Sequence, residues 1–97
     1  MAGIRFEWGP AKSRANQWKH GVSFEEAQSV FFDDRALFMA DPEHSDDEDR
    51  FLLLGLSIAL RVILVCHCFR DDDQTIRIIH ARRATKAEHE QYWSRVQ

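Results

Sequence analysis

The chain has 97 residues, a length that supports one domain, residues 1–97, with a single modest core. Its composition, 44% hydrophobic and 30% charged, excludes a disordered tail. Nine of its 16 acidic residues lie at positions 41–49 and 71–73, and the remaining seven face 13 Lys and Arg residues, an excess of six positive charges. A basic surface beside acidic loops fits an anionic partner such as nucleic acid, and a basic partner as well. Solvated loops without a partner are the alternative.

The first half of the chain predicts a short strand and two helices. Ile4–Trp8 has the pattern of an opening strand, and a helix is expected over Pro10–His20, with Gly21 as its carboxyl-terminal stop. Ser23 begins a capping box for the second helix. The first helix carries an apolar seam expected to face the core at Ala11, Ala15 and Trp18, and a polar stripe beside it at Lys12, Asn16 and Lys19.

The second half predicts strands at Ala36–Ala40, Arg50–Ser57, Arg61–Arg70 and Thr75–Arg83, the last three joined by short turns. The third of these is apolar on both faces and should be central, with helices covering it. A closing helix follows, with an inward face expected at His89, Tyr92, Trp93 and Val96. The predicted class is α+β, a small antiparallel sheet of three or four strands packed by two amino-terminal helices and one carboxyl-terminal helix.

One apolar stretch, Phe51–Phe69, has the length of a membrane span. Arg61 at its centre would cost roughly 2.5–3.5 kcal/mol to insert into a bilayer. Gly55 and the bend at 57–60 divide the stretch into two pieces of strand length, so a buried hairpin is predicted. The amino terminus shows no apolar export segment, and we expect a cytoplasmic protein with no membrane partner.

The end of the last predicted strand combines imidazole and guanidinium groups. Alternation along a regular strand would place Ile76, Ile78, His80 and Arg82 on one face. Arginine binds phosphate oxygens as a fork and histidine transfers protons near neutral pH, so this pairing suits a phosphodiester. Because adjacent antiparallel strands bring their ends together, we expect Arg61, Arg82 and Arg83 to meet at one edge. Their alternative role is as solubilising charges at strand ends.

Other candidate residues have structural alternatives. His67 lies inside the predicted central strand, where it is either a proton-transfer group or a hydrogen-bonded core imidazole. Tyr92 is either a core residue or a ring that contacts ribose or a base. The acidic stretch Asp41–Asp49 offers ligands for a divalent metal, but it lacks the glycine pattern of a calcium loop. A metal-dependent hydrolase is therefore the disfavoured alternative, and no cofactor is expected.

The chain resembles the BrnT family, the toxins of bacterial type II toxin–antitoxin pairs. The resemblance covers almost the whole chain in order and is carried by Phe6-Glu7-Trp8, Lys12, Asn16, the run from Lys19 to Ala27, Asp41-Pro42-Glu43-His44-Ser45, Glu48, Arg50, Gly55, Ser57, Arg61, Ile78-Ile79, Ala81-Arg82, Ala84, Glu88 and Tyr92. Two positions depart from the family pattern: Gly9 stands where Asp commonly follows Trp8, and His80 stands where Ser is frequent.

The resemblance implies a RelE-like fold and a ribonuclease that blocks translation. It also implies a BrnA-type ribbon-helix-helix antitoxin as partner, with operator DNA bound only through that antitoxin. We interpret the sequence as that of a metal-independent endoribonuclease. The alternative is a non-catalytic co-repressor module that binds nucleic acid or antitoxin. The expected catalytic residues are Arg61, His67, His80 and Arg82, and the expected RNA-binding residues are Lys19, Arg83, Lys86 and Tyr92.

Overall fold

The computed structural model describes residues 3–42 and 49–95. Most of the loop predicted at Asp41–Asp49 therefore lies outside the described residues. Within them the elements are β1 (Arg5–Glu7), α1 (Pro10–His20), α2 (Phe24–Ser29), a 3-10 turn (Val30–Phe32), β2 (Leu37–Ala40), β3 (Phe51–Leu56), β4 (Val62–Arg70), β5 (Thr75–Arg83) and α3 (Lys86–Arg95). The predicted strand bounds hold to within one residue at each end.

The strands of the described residues form one sheet of five, in the order β1-β5-β4-β3-β2. β2 to β5 pair antiparallel, whereas β1 lies parallel to β5, with Arg5 opposite Thr75. The prediction of three or four antiparallel strands is thus wrong, because β1 joins the sheet through a helical crossover. Parallel pairing of this kind has no local turn signal in the sequence. β4 is central and buried over most of its length, as predicted.

Helices cover both faces of the sheet. On the face packed by α1 and α2, here called the α1/α2 face, the core contains Val22, Phe24, Ala27, Val30, Leu53, Ile63, Val65, Ile78 and Ala81. On the opposite face, here called the α3 face, Tyr92 packs on Leu54, Val62 and Leu64. Successive β4 residues alternate between these cores, which explains why that strand is apolar throughout.

The apolar stretch Phe51–Phe69 forms the β3–β4 hairpin, as predicted. Its turn is closed by a hydrogen bond from the Leu60 N–H to the Ser57 carbonyl oxygen at 2.9 Å. Leu60 adopts a left-handed backbone with φ 62°. None of the helices in residues 3–42 and 49–95 has the length and apolar character needed to span a bilayer.

α1 turns a different face to the sheet from the one predicted. The expected apolar seam is exposed, and Trp18 is 92% accessible, whereas Ser13 and Asn16 are buried. The Asn16 side chain donates to the carbonyl oxygens of Val22 and Ala81, both at 2.8 Å, and accepts from the Ala81 N–H at 3.1 Å. Asn16 thus satisfies both backbone groups of Ala81. For this reason a polar residue lies on the inward side of α1, where the periodicity of the sequence predicted apolar residues.

α3 also differs in part from its prediction. Tyr92 is buried as expected, but His89 and Trp93 are exposed. The Trp93 indole N–H donates to His89 Nε2 at 3.1 Å, so these rings pair on the outer side of the helix. Val96 lies outside the described residues.

A β-bulge interrupts the pairing of β4 and β5. His67 lies opposite Ile78 and Cys66 lies opposite His80, which leaves Ile79 as an extra residue in β5. As a result Ile78 belongs to the α1/α2 face, while His80 and Arg82 follow Cys66 and Leu64 on the α3 face. The expectation that Ile78 and His80 share a face is therefore wrong.

Candidate functional site

A cleft of about 420 Å³ separates α1 from the later part of β5. We call it the α1–β5 cleft; it is lined by Lys12, Ala15, Asn16, Lys19, His20, Ile79 and His80. β1 covers β5 only at residues 75–77, so α1 rather than a strand lies beside the rest of β5. The Asn16–Ala81 hydrogen bonds fix the separation of helix and strand.

The charge of the α1–β5 cleft is positive. In the described part of the chain, the ionisable side chains that line it are Lys12, Lys19, His20 and His80. Lys12 and Lys19 are seven residues apart and therefore project from the same side of α1. His20 is the last residue of α1, where the helix dipole favours a cation. The cleft has the charge expected of a site for a polyanion.

His80 is the central titratable group of this region. It is partly buried, and burial lowers its pKa below the usual histidine value, with further lowering from His20 and Arg82 and an opposing effect from Asp41. A neutral imidazole at pH 7 can accept a proton. His80 also lines a second pocket, of about 300 Å³, together with Arg82, Asp41, Pro42, Leu52 and Leu64. It therefore connects the lysines of α1 with the guanidinium of Arg82.

Arg82 is held on the α3 face by Glu88. Its two terminal nitrogens donate to the two Glu88 carboxylate oxygens at 2.8 and 3.0 Å. The Arg82 hydrogen bonds lower the pKa of Glu88. Glu88 also completes a capping box at the start of α3, accepting from the Thr85 N–H while the Thr85 hydroxyl accepts from the Glu88 N–H. The guanidinium is thus oriented by the start of α3.

Arg61 lies on the other face of the sheet. It donates to both carboxylate oxygens of Glu26 on α2 and to the Gly21 carbonyl oxygen at 3.0 Å. These hydrogen bonds lower the pKa of Glu26. Arg83, opposite Ile63, shares the α1/α2 face with Arg61. The expectation that Arg61 and Arg82 meet at one edge is therefore wrong. The Arg61 side chain lies on the α1/α2 face of the sheet and the Arg82 side chain lies on the α3 face.

His67 is a core residue. It is fully buried on β4, and its ring packs edge-on against Phe31 with a centroid distance of 4.8 Å. Burial lowers its pKa to about 4, and the weak contact of Nδ1 with the Val65 carbonyl oxygen only partly opposes this effect. The structure places His67 outside the α1–β5 cleft, which favours the core interpretation of this residue.

Tyr92 is also removed from solvent. Its hydroxyl donates to Asp33 at 2.6 Å, and burial followed by this hydrogen bond raises its pKa to about 12. Asp33 accepts from the Leu56 N–H as well, so it joins α3 to β3. Arg83 and Lys86 are exposed at the junction of β5 with α3, one and four residues after Arg82, and they do not line the cleft.

Sequence reasoning assigned Lys12 and His20 no ligand-binding role. Lys12 and Lys19 were visible as one polar stripe with Asn16, and this stripe, rather than the apolar seam, marks the side of α1 that meets β5. The available signal was the stripe itself, in which Asn16 stands between the two lysines. In the part of the chain described by the structure, no three His, Cys, Asp or Glu side chains are grouped to hold a metal ion.

Comparison with known families decides the relationship. The sequence profile of the family described as "Ribonuclease toxin, BrnT, of type II toxin-antitoxin system" matches residues 8–88, which include every residue that lines the cleft. The chain belongs to the BrnT family. Membership in the BrnT family places it among the toxins of type II toxin–antitoxin pairs and implies RNA cleavage and neutralisation by an antitoxin.

A solved BrnT structure has a similar fold. The 1.1 Å crystal structure of the Brucella abortus ribonuclease toxin BrnT superposes with a TM-score of 0.64, at 21% sequence identity, over 86% of this chain and 99% of that one. This likeness supports the α+β architecture. No curated protein sequence matches the chain.

Proposed function

We propose that the chain is a metal-independent endoribonuclease toxin that binds and cuts RNA in the α1–β5 cleft. The observation that carries the proposal is the placement of His80 between the α1 lysines and Arg82. Membership in a ribonuclease family supports the reaction class. The two lysines and two histidines of the cleft supply the charge and the proton-transfer groups that such a reaction requires.

The chemistry follows from the groups in the cleft. His80, neutral because its pKa is lowered, takes the proton of an RNA 2′-hydroxyl, whose oxygen attacks the adjacent phosphorus. A 2′-oxygen–phosphorus bond forms and the phosphorus–5′-oxygen bond breaks. His20 lines the same cleft and is the group that gives a proton to the leaving 5′-oxygen. The products are a 2′,3′-cyclic phosphate and a free 5′-hydroxyl.

Cationic side chains stabilise the negative charge that develops on the phosphate. Arg82, oriented by Glu88, lies on one side of His80, and Lys12 and Lys19 lie on the other. Arg83 and Lys86 extend the positive surface for the RNA backbone. Arg61, His67 and Tyr92 support the fold in this proposal, because each is held by partners away from the cleft.

We further propose that RNA cleavage by this chain blocks translation in the cytoplasm, and that the fold is related to RelE-like ribonucleases. The partner is a BrnA-type ribbon-helix-helix antitoxin, through which the pair would bind operator DNA. The presence of an antitoxin is implied by the family; its type is part of the proposal.

The test is cleavage of a single-stranded RNA by the purified chain in excess EDTA. We expect cutting to continue in the chelator and to leave cyclic phosphate ends. His80→Ala should lower the cleavage rate by about 10²-fold or more, the usual contribution of a general base. His80→Ser, which restores the residue frequent in the family, should behave like His80→Ala.

The matched control is His89→Ala, which removes an exposed imidazole of α3 outside the cleft. It should cleave RNA at the wild-type rate. Loss of cutting in EDTA with recovery on adding a divalent cation would reject metal independence. Undiminished cutting by folded His80→Ala would reject the role of His80, and absence of cleavage by the wild-type chain would favour the co-repressor.

A further inference from the structure

A third pocket, of about 620 Å³, lies away from the α1–β5 cleft and has no role in the proposed reaction. It is lined by Phe38, Phe51, Phe69, Asp49 and Asp73, and we call it the Phe–Asp surface. Phe38 and Phe51 stack with a centroid distance of 5.2 Å and an interplanar angle of 20°. Phe69 packs against Phe51 at 5.4 Å. Aromatic rings thus form a continuous apolar wall.

This wall is open to solvent. Phe38 is 56% exposed and lies beside Phe51 and Phe69, so these rings form one contiguous apolar patch and not scattered single residues. It belongs to β2, the last strand in the sheet order, and no strand of the described residues pairs with the outer edge of β2. An edge strand with an exposed aromatic residue can accept a further strand.

The rim of the surface is negative. Asp49 and Asp73 come from the two acidic runs, and neither lines the α1–β5 cleft. Asp71, Asp72 and Asp73 have positive φ angles of 56°, 54° and 68°. Aspartate is among the residues that tolerate this backbone, and the turn brings the Asp73 carboxylate to the rim of the surface.

We propose that the Phe–Asp surface docks an extended basic segment of the cognate antitoxin. An Arg or Lys side chain would lie over the exposed face of Phe38 while Asp49 and Asp73 pair with cationic groups beside it. The backbone of the segment would extend the sheet at β2.

The position of this surface separates it from RNA. The cleft adjoins β5, whereas the Phe–Asp surface is built around β2, β3, the end of β4 and the β4–β5 turn. The two surfaces share no lining residue and have opposite charge. RNA is repelled by the carboxylates that attract a basic segment, so each partner has its own surface.

The experiment uses the full chain and a short fluorescent peptide that alternates Arg with Leu, with a matched peptide in which Glu replaces Arg. The Arg peptide should bind at least about tenfold more tightly, and high salt should weaken it. Phe38→Ala and the double change Asp49→Asn with Asp73→Asn should each weaken binding by about tenfold or more. Asn is chosen at Asp73 because it tolerates the positive φ.

The controls are Phe32→Ala and Asp34→Asn, an exposed aromatic residue and an exposed acid outside the surface, which should bind the peptide normally. In NMR spectra the His67 ring, which contacts Phe38, Phe51 and Phe69, should shift on peptide addition, whereas the His89 ring should not. RNA cleavage by folded Phe38→Ala should equal that of the wild type.

Three results would overturn the proposal. Equal binding of the Glu peptide would show an apolar groove without charge preference. Concentration-dependent self-association that Phe38→Ala abolishes would assign the surface to a second copy of the chain. A fall in RNA cleavage by folded Phe38→Ala would assign it to RNA. Because the peptide assay does not depend on catalysis, failure here leaves the test of the nuclease separate.

Discussion

The buried imidazole of His67 is surrounded by aromatic rings rather than by polar groups. Its Nε2 has no hydrogen-bond partner among the residues described, and it is shielded from solvent. A neutral ring tolerates these surroundings, whereas a protonated ring does not. The sequence left two roles open for His67, because a position in an apolar strand does not reveal which rings surround it.

His67 should make the fold sensitive to acid. Its pKa is about 4 in the folded chain and near 6.5 when unfolded, so the unfolded state binds the extra proton between these values. The contribution of the neutral His67 ring to the unfolding free energy is fully present above pH 6.5. It is lost as the pH decreases towards 4, by roughly 3 kcal/mol in total. The measurement is urea unfolding of wild type and His67→Phe at several pH values across this window.

The difference in unfolding free energy between these two chains should change with pH, since His67→Phe removes the titrating group. His20→Gln, which changes an imidazole at the end of α1, serves as the matched variant. A parallel pH dependence for wild type and His67→Phe would contradict the assignment of His67 as a buried neutral ring.

Asn16 has an equally local effect on the fold. Asn16→Ala should leave the Ala81 N–H and carbonyl oxygen without their side-chain partners and lower the unfolding free energy by about 2–4 kcal/mol. Gln17→Ala, a change at an exposed neighbour on α1, should alter it by less than about 0.5 kcal/mol. Thermal unfolding of both variants provides the measurement, and equal stability of the two would refute the role of Asn16.

The elements show where sequence patterns succeed. Turn and cap residues predicted the start of α1 at Pro10, its end at Gly21 and the capping box at Ser23, whose hydroxyl accepts from the Glu26 N–H. These signals are local, so the sequence contains them fully. The bulge at Ile79 has no such signal, and one inserted residue reverses the faces of His80 and Arg82 relative to Ile78.

The prediction of the inward face of α1 was wrong for a related reason. Periodicity assumes that helices bury apolar residues, but the neighbour of α1 is the unpaired edge of β5, whose backbone requires hydrogen bonds. A polar Asn16 therefore faces inward and Trp18 faces solvent. The candidate site is accordingly a cleft between helix and strand, and not the predicted cluster of arginines at strand ends.

Gly55 in β3 packs closely against the 3-10 turn and the residues that follow it. A Cβ at this position would lie 2.9 Å from both Ala36 Cβ and Val30 Cγ1 and 3.1 Å from Asp33 Oδ2. We expect Gly55→Ala to lower the unfolding free energy by about 1–3 kcal/mol through overpacking. Chemical denaturation measures the change.

Gly9→Ala is the matched substitution, because a Cβ on Gly9 meets no atom within 4 Å. Its effect should be smaller than that of Gly55→Ala. If the two substitutions lower the unfolding free energy equally, the close contacts around Gly55 do not explain why glycine is needed at this position.

The charge pattern of the whole molecule was visible in the sequence, but its geometry was not. Counting charges predicted a basic surface and separate acidic runs, and the structure places lysines beside β5 and two carboxylates near β2. Which arginines are engaged by acids could not be predicted. Glu26 lies 35 residues from Arg61 along the chain, and Glu88 lies on a different element from Arg82. Only folding brings each pair together.

In cells, induction of this chain alone should arrest growth and stop incorporation of labelled amino acids, because RNA cleavage removes templates for translation. Co-expression of the adjacent gene, if it encodes the antitoxin, should restore growth. The His80→Ala chain should be harmless while still binding that antitoxin. Growth arrest without loss of protein synthesis would contradict the proposed action on translation.

The Asn16 side chain also limits how copies of this molecule can join. By bonding both backbone groups of Ala81, it occupies the place that a strand from another copy would take, and β1 beyond it is only three residues long. Two copies could join by pairing their β2 strands. The unpaired strand edge that remains on each copy would then be too short to add a third. By this geometry, pairing between sheet edges would stop at two copies and would not extend into a fibril.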